Sequence, residues 1–132
     1  MYYLNLNRPF SLEGGGHLPE VKIAYQMLGN LLPDHSNVVW VFHALTGNAD
    51  PTSWWPDLVG PGKTLDPATH FIVCANMLGS CYGSTSAASI NPITGQRYGA
   101  EFPLVSIRDM VRAHQLLRDH LGITKIGLGA LA

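Results

Sequence analysis

The chain has 132 residues, 46% of them hydrophobic and 13% charged, with eight basic against nine acidic side chains and a formal net charge of −1. That is enough for one buried core and too short for two domains, so residues 1–132 read as part of a single domain. Without a Lys/Arg cluster the charge implies no nucleic-acid partner, and no apolar run approaches the roughly 20 residues a membrane span needs, so no membrane partner is expected either.

In chain order, Tyr2–Leu6 alternates weakly and predicts an edge strand with Asn5 and Asn7 facing water. Gly14-Gly15-Gly16 breaks the chain, placing a turn over residues 11–17. Val21, Ile23, Tyr25 and Met27 alternate with Lys22, Ala24 and Gln26, which predicts a second strand at Val21–Leu28 in an antiparallel hairpin with the first. Residues 30–37 form a polar connection. The run Val38-Val39-Trp40-Val41-Phe42 then has neither helical gaps nor alternation, so it fits a strand covered on both faces of a parallel sheet. It stops at His43-Ala44-Leu45-Thr46-Gly47, at the carboxyl strand end where open α/β sheets bind ligands. A tight turn there can aim backbone N–H groups at a substrate oxygen, and Gly47 lets the chain turn without a Cβ clash.

Beyond it, Pro51, Pro56 and Gly60-Pro61-Gly62 allow only one short helical turn, placed over residues 54–59. Residues 71–76 predict an internal strand, followed by a loop of small residues over 79–89. Ser106 and Asp109 form a capping box. Ile107, Met110, Val111, His114, Leu117 and Leu121 follow as an apolar helical stripe that Gly122 ends. Residues 123–131 predict a further strand, giving the right-handed strand–helix–strand crossover of a parallel sheet with about five strands. The six histidines lack ligand spacing, and Cys74 and Cys81 match neither a zinc knuckle nor a Cys-x-x-Cys pair. No metal is expected, both thiols should be reduced, and with no secretory leader the default location is cytoplasmic.

Several motifs in fixed order carry a family resemblance: His43-Ala44-Leu45-Thr46-Gly47, Trp54-Trp55, Gly60-Pro61-Gly62-Lys63, Asn76-Met77-Leu78-Gly79-Ser80-Cys81-Tyr82-Gly83-Ser84-Thr85, Ser89-Ile90-Asn91-Pro92, and Phe102-Pro103 with Ile107-Arg108-Asp109-Met110-Val111. Together they resemble the homoserine O-acetyltransferase family of the α/β-hydrolase superfamily over residues 18–126. The resemblance implies a partial α/β-hydrolase sheet, with an amino-terminal antiparallel hairpin and then parallel strands joined by a crossover helix. It implies acetyl transfer from the co-substrate acetyl-CoA to L-homoserine in methionine biosynthesis, through an acyl-serine intermediate and with no further cofactor. The full-length protein is then expected to be a homodimer. Leu45 would lend its backbone N–H to the oxyanion hole as the catalytic contribution of this stretch, while Thr46, Gly47 and Asn48 would border the acyl and homoserine pocket.

The chain departs from the family where the nucleophile belongs. In place of a Gly-x-Ser-x-Gly elbow it reads Ile126-Gly127-Leu128-Gly129-Ala130-Leu131-Ala132, and no serine follows Ser106. The expectation is therefore the amino-terminal portion of one hydrolase domain, truncated at its nucleophile strand, lacking the Ser-Asp-His triad and inactive by itself. Ser86-Ala87 also stands where relatives usually carry Gly-Pro. Serine O-acetyltransferase and homoserine O-succinyltransferase are alternatives within the family, an esterase is one within the fold, and a noncatalytic remnant or binding module is one outside catalysis.

Plainer roles compete for individual residues. His43 is expected to hold a loop through backbone hydrogen bonds rather than act as a base, because a base needs a nucleophile beside it. Thr46 either caps the turn or meets substrate. Trp54 and Trp55 are expected to cover the sheet rather than stack on a ligand. Cys74 is expected to be a buried apolar residue, Asp109 a helix cap, and Arg108 with Arg112 a solvated face.

Overall fold

Strand β5 (Val38–Phe42) divides the core in two. Successive side chains of a strand point to opposite faces, so Val38 and Trp40 enter the larger cluster while Val39 and Val41 enter the smaller one with Val59, Leu65, Ile72 and Cys74. Covered on both sides, each of these side chains contributes roughly 1.5–3 kcal/mol.

The computed structural model describes residues 1–132. Besides β5 it contains β1 (Tyr2–Leu6), β2 (Phe10–Ser11), β3 (His17–Leu18), β4 (Val21–Leu28), α1 (Pro51–Trp54), β6 (Phe71–Ala75), a 3₁₀ turn at Gly99–Glu101, α2 (Ile107–His120) and β7 (Leu128–Leu131). Five strands form one sheet in the order β1-β4-β6-β5-β7. β1–β4 and β4–β6 are antiparallel, whereas β5 runs parallel to both β6 and β7. The expected hairpin, the parallel core and the crossover from β6 through α2 to β7 are all present.

Four expectations need correction. The turn over residues 11–17 is flanked by a two-stranded ribbon of β2 and β3, too short to leave a periodic signal. The helical turn lies at Pro51–Trp54 instead of 54–59: Asp50 accepts the Thr52 N–H and Pro51 supplies a pre-set φ at the first helical position, so the helix starts as early as its cap allows. The final strand covers only Leu128–Leu131. Before it, Ile123 closes the helix end through its N–H to the Arg118 carbonyl (3.1 Å), and Thr124 is tied to His35 by its N–H (3.1 Å) and its hydroxyl (2.9 Å).

The fourth correction is the rotation of α2. Ile107 is 74% exposed and Val111 49%, while Asp109, Ala113, His114 and Leu117 are buried. The carboxylate of Asp109 accepts the Ser106 N–H (3.0 Å) and, from across the fold, the Glu13 N–H (3.0 Å). Its helix-capping duty thus turns positions 109, 113 and 117 inward at i, i+4 spacing and swings 107 and 111 outward. Hydrogen bonds from Ser106 and Glu13 outweigh desolvation, which acts the other way, and hold the Asp109 carboxyl below its usual value. Arg108 pairs in solvent with Glu13, but Arg112 is not merely solvated. Its guanidinium lies over the Phe10 ring (4.8 Å) and donates to the Ser11 carbonyl, fastening the β2–β3 ribbon to α2.

Candidate functional site

The carboxyl end of β5 runs into a tight turn closed by the Gly47 N–H donating to the Ala44 carbonyl (2.8 Å), with Leu45 and Thr46 at its tip. Leu45 is 97% exposed. Its backbone N–H and that of Thr46 donate to no other group of the protein. Free amides at a parallel strand's carboxyl end are what a developing oxyanion requires. The Leu45 side chain projects from the surface.

Gly47 does not have a positive φ; space is what requires it. A Cβ there would stand 3.0 Å from the His43 Cβ and 3.2 Å from the Ala44 oxygen. The Asn48 side chain is engaged locally, its Oδ1 accepting the Asp50 N–H (2.8 Å), while its carbonyl accepts the Trp54 indole N–H (3.1 Å) and the Cys74 thiol (3.8 Å). Thr46 is exposed, and its hydroxyl makes no hydrogen bond within the protein. Leu45, Thr46, Gly47 and Asn48 therefore lie together at one sheet edge, with Asn48 also serving as a joint between the turn and α1.

His43 is buried beneath this turn. Its Nδ1 lies 2.7 Å from the Ala44 oxygen and its Nε2 accepts the Met77 N–H (3.0 Å), so it holds loops as expected. His114 is also buried, its Nδ1 accepting the Trp40 indole N–H (3.3 Å) and its ring stacked on Phe42. Burial first, and the neighbouring His43 second, bring its pKa down to about 4. Neither imidazole has a hydroxyl or thiol on a free ring nitrogen. The hydroxyl–imidazole pairs Thr124–His35 and Thr69–His70 are exposed, and Thr124–His35 belongs to the opposite end of β5. Periodicity gave no signal for these pairs, because they join loops distant in sequence or adjacent on the surface.

Trp54 and Trp55 pack together at 5.3 Å against the smaller core cluster, covering the sheet. Burial, with a smaller contribution from Asp50, pushes the Cys74 thiol up to about 12, so it is an inert apolar residue, and Cys81 is exposed and unpaired with it. A cleft of about 480 Å³ lies beside β1 and β4 against Glu20, Lys22, Ser86 and Tyr98; none of the residues at the end of β5 lines it.

A parallel β5 in mid-sheet, a β6–α2–β7 crossover and unbonded amides at the strand's carboxyl end define a unit of the α/β-hydrolase fold. No family model matches the chain. Among curated proteins, the homoserine O-acetyltransferase of Chlorobaculum parvum is 56% identical over 120 residues, covering 91% of this chain and 34% of that protein. Among solved structures, esterase E22 (L374D mutant) superposes with a TM-score of 0.86 at 29% identity, over 98% of this chain and 39% of its own. The homoserine O-acetyltransferase of Bacillus anthracis does so with a TM-score of 0.85 at 26% identity, over the same 98% and 39%. Over the length it spans, the chain is similar to homoserine O-acetyltransferases in sequence and in fold. It spans about a third of the length of the curated relatives it matches.

Proposed function

We propose that this chain is the amino-terminal part of an enzyme that moves an acetyl group from acetyl-CoA to the side-chain hydroxyl of L-homoserine, in methionine biosynthesis. In this reading a serine outside these 132 residues attacks the acetyl carbonyl and the CoA thiol leaves. The homoserine hydroxyl then attacks the acyl-serine, and each tetrahedral oxyanion receives a hydrogen bond from the Leu45 N–H. The observation that carries the reading is that amide: unbonded, at the tip of a closed turn, at the carboxyl end of a parallel strand buried over Val38–Val41. Thr46, Gly47 and Asn48 border the acyl and acceptor pocket. The enzyme is proposed to be a cytoplasmic homodimer with no cofactor beyond its acetyl-CoA co-substrate.

A hydrolase reading has one observation in its favour, the close superposition on esterase E22. The higher sequence identity, 56% to an acetyltransferase against 29% to that esterase, favours transfer. Following free CoA thiol with acetyl-CoA, in the presence and absence of L-homoserine, separates the two. The 132-residue chain is expected to release no thiol above background, and the full-length reading frame to release it only with homoserine. Release without any acceptor would favour a hydrolase. Succinyl-CoA and L-serine in the same assay test the sister activities. Turnover by the 132 residues alone, abolished by a substitution within them, would overturn the proposal.

A further inference from the structure

The loop over residues 76–85 is among the best-anchored parts of the sheet's carboxyl edge. The Asn76 N–H donates to the Ala24 carbonyl (2.8 Å) and the Thr85 N–H to the Lys22 carbonyl (2.8 Å). The Ser84 hydroxyl donates to the Asn76 carbonyl (2.7 Å) and accepts the Ala24 N–H (3.1 Å), and the Thr85 hydroxyl accepts the Lys22 N–H (2.8 Å). His43 connects this loop to the turn after β5. Because the Met77 N–H needs a lone pair on Nε2, the proton of the neutral ring must sit on Nδ1, and there it donates to the Ala44 oxygen.

That oxygen accepts a second bond, from the Gly47 N–H (2.8 Å). The Ala44 carbonyl and the Leu45 N–H belong to one planar trans peptide and point in opposite directions. Two donors pulling on the carbonyl from within therefore turn the amide outward.

We propose that His43 is a positioning residue: through its Nδ1–H on the Ala44 carbonyl it fixes the peptide plane that carries the Leu45 N–H, and through its Nε2 it references that plane to the 76–85 loop. The importance of the latch for catalysis rests on the proposed role of Leu45; the latch itself does not. The Asn76 to Thr85 motif thereby acquires a function, as the fixed post to which the turn is fastened.

The test uses the full-length protein, isotope-labelled at histidine, leucine and methionine. Imidazole nitrogen shifts in the wild type should place the proton of His43 on Nδ1; a proton on Nε2 would overturn the proposal. His43→Gln keeps an acceptor at the Nε2 position, while His43→Asn keeps a donor at the Nδ1 position, so the two variants should give a crossed pattern. Met77 amide exchange should stay slow in H43Q and become roughly tenfold faster in H43N. The Leu45 N–H order parameter should stay near about 0.85 in H43N and fall toward about 0.6 in H43Q. His43→Ala, if it folds, should lose both. A Leu45 amide equally rigid in H43Q and wild type, or Met77 exchange equal in both variants, would contradict the latch. Failure of the full-length protein to acetylate homoserine would instead remove the functional reading and leave this pattern standing.

Discussion

At the scale of single residues, His114 links the fold to pH. Its Nδ1 is engaged by Trp40 and its Nε2 is buried without a partner, so a second proton has no place to be solvated. The ordinary value in an unfolded chain is about 6.5 and the folded value is about 4. Between these the unfolded state holds a proton that the folded state does not, so stability rises with pH across the window and is lost on acidification. The loss reaches roughly 3 kcal/mol by pH 4. Urea unfolding followed by tryptophan fluorescence should show the midpoint falling from pH 6.5 to pH 4, with a shallower fall in His114→Gln. Equal slopes would show that the imidazole is not the proton-linked group. Asp109 acts in a lower window: its depressed carboxyl stabilises above its usual value and gives up that contribution only on further acidification.

At the scale of elements, legibility in the sequence followed the kind of force involved. β4 and β5 lie at the expected residues, and β6 ends one residue early, because burial of apolar runs and alternation is what the sequence displays directly. α2 shows the opposite. Its limits were readable from Ser106 and Gly122, the latter taking the left-handed φ of +67° that ends a helix, yet its inward face was not. Hydrophobicity pointed to Ile107 and Val111, and a polar residue with three backbone or hydroxyl partners decided otherwise. Asp109→Ala should therefore cost roughly 3 kcal/mol, from a buried charged acceptor whose donors are left unmade, while Ile107→Ser should change stability by less than about 0.5 kcal/mol. Thermal or urea denaturation checks both; a larger loss at position 107 would restore the hydrophobic stripe. At the candidate site, the tight turn at the end of β5 was legible from the sequence. The bond that ties it to the 76–85 loop was not, since it joins residues 34 positions apart through a loop with no periodicity.

At the scale of the whole molecule, the sheet offers two edges of different character. β1 is antiparallel to its neighbour and presents Tyr2 and Tyr3 to solvent, whereas β7 is parallel to its neighbour and presents Leu128 and Leu131 at 49% and 78% exposure. Under the proposed function the nucleophile follows β7, so the free amide of Leu45 and the attacking hydroxyl would fall at the same edge of neighbouring strands. This adjacency supports the proposed role of the Leu45 amide as one oxyanion donor.

The amide can be deleted without deleting the turn. Leu45 occupies the second position of the Ala44–Gly47 turn, where proline's fixed φ is well suited, and its N–H serves no bond in the fold. The decisive measurement is therefore kcat for acetyl transfer to L-homoserine by the full-length protein carrying Leu45→Pro, with its melting temperature as the control for folding. The account predicts a fall of about 10² to 10³ in kcat with melting nearly unchanged. A folded Leu45→Pro enzyme with undiminished kcat would contradict it.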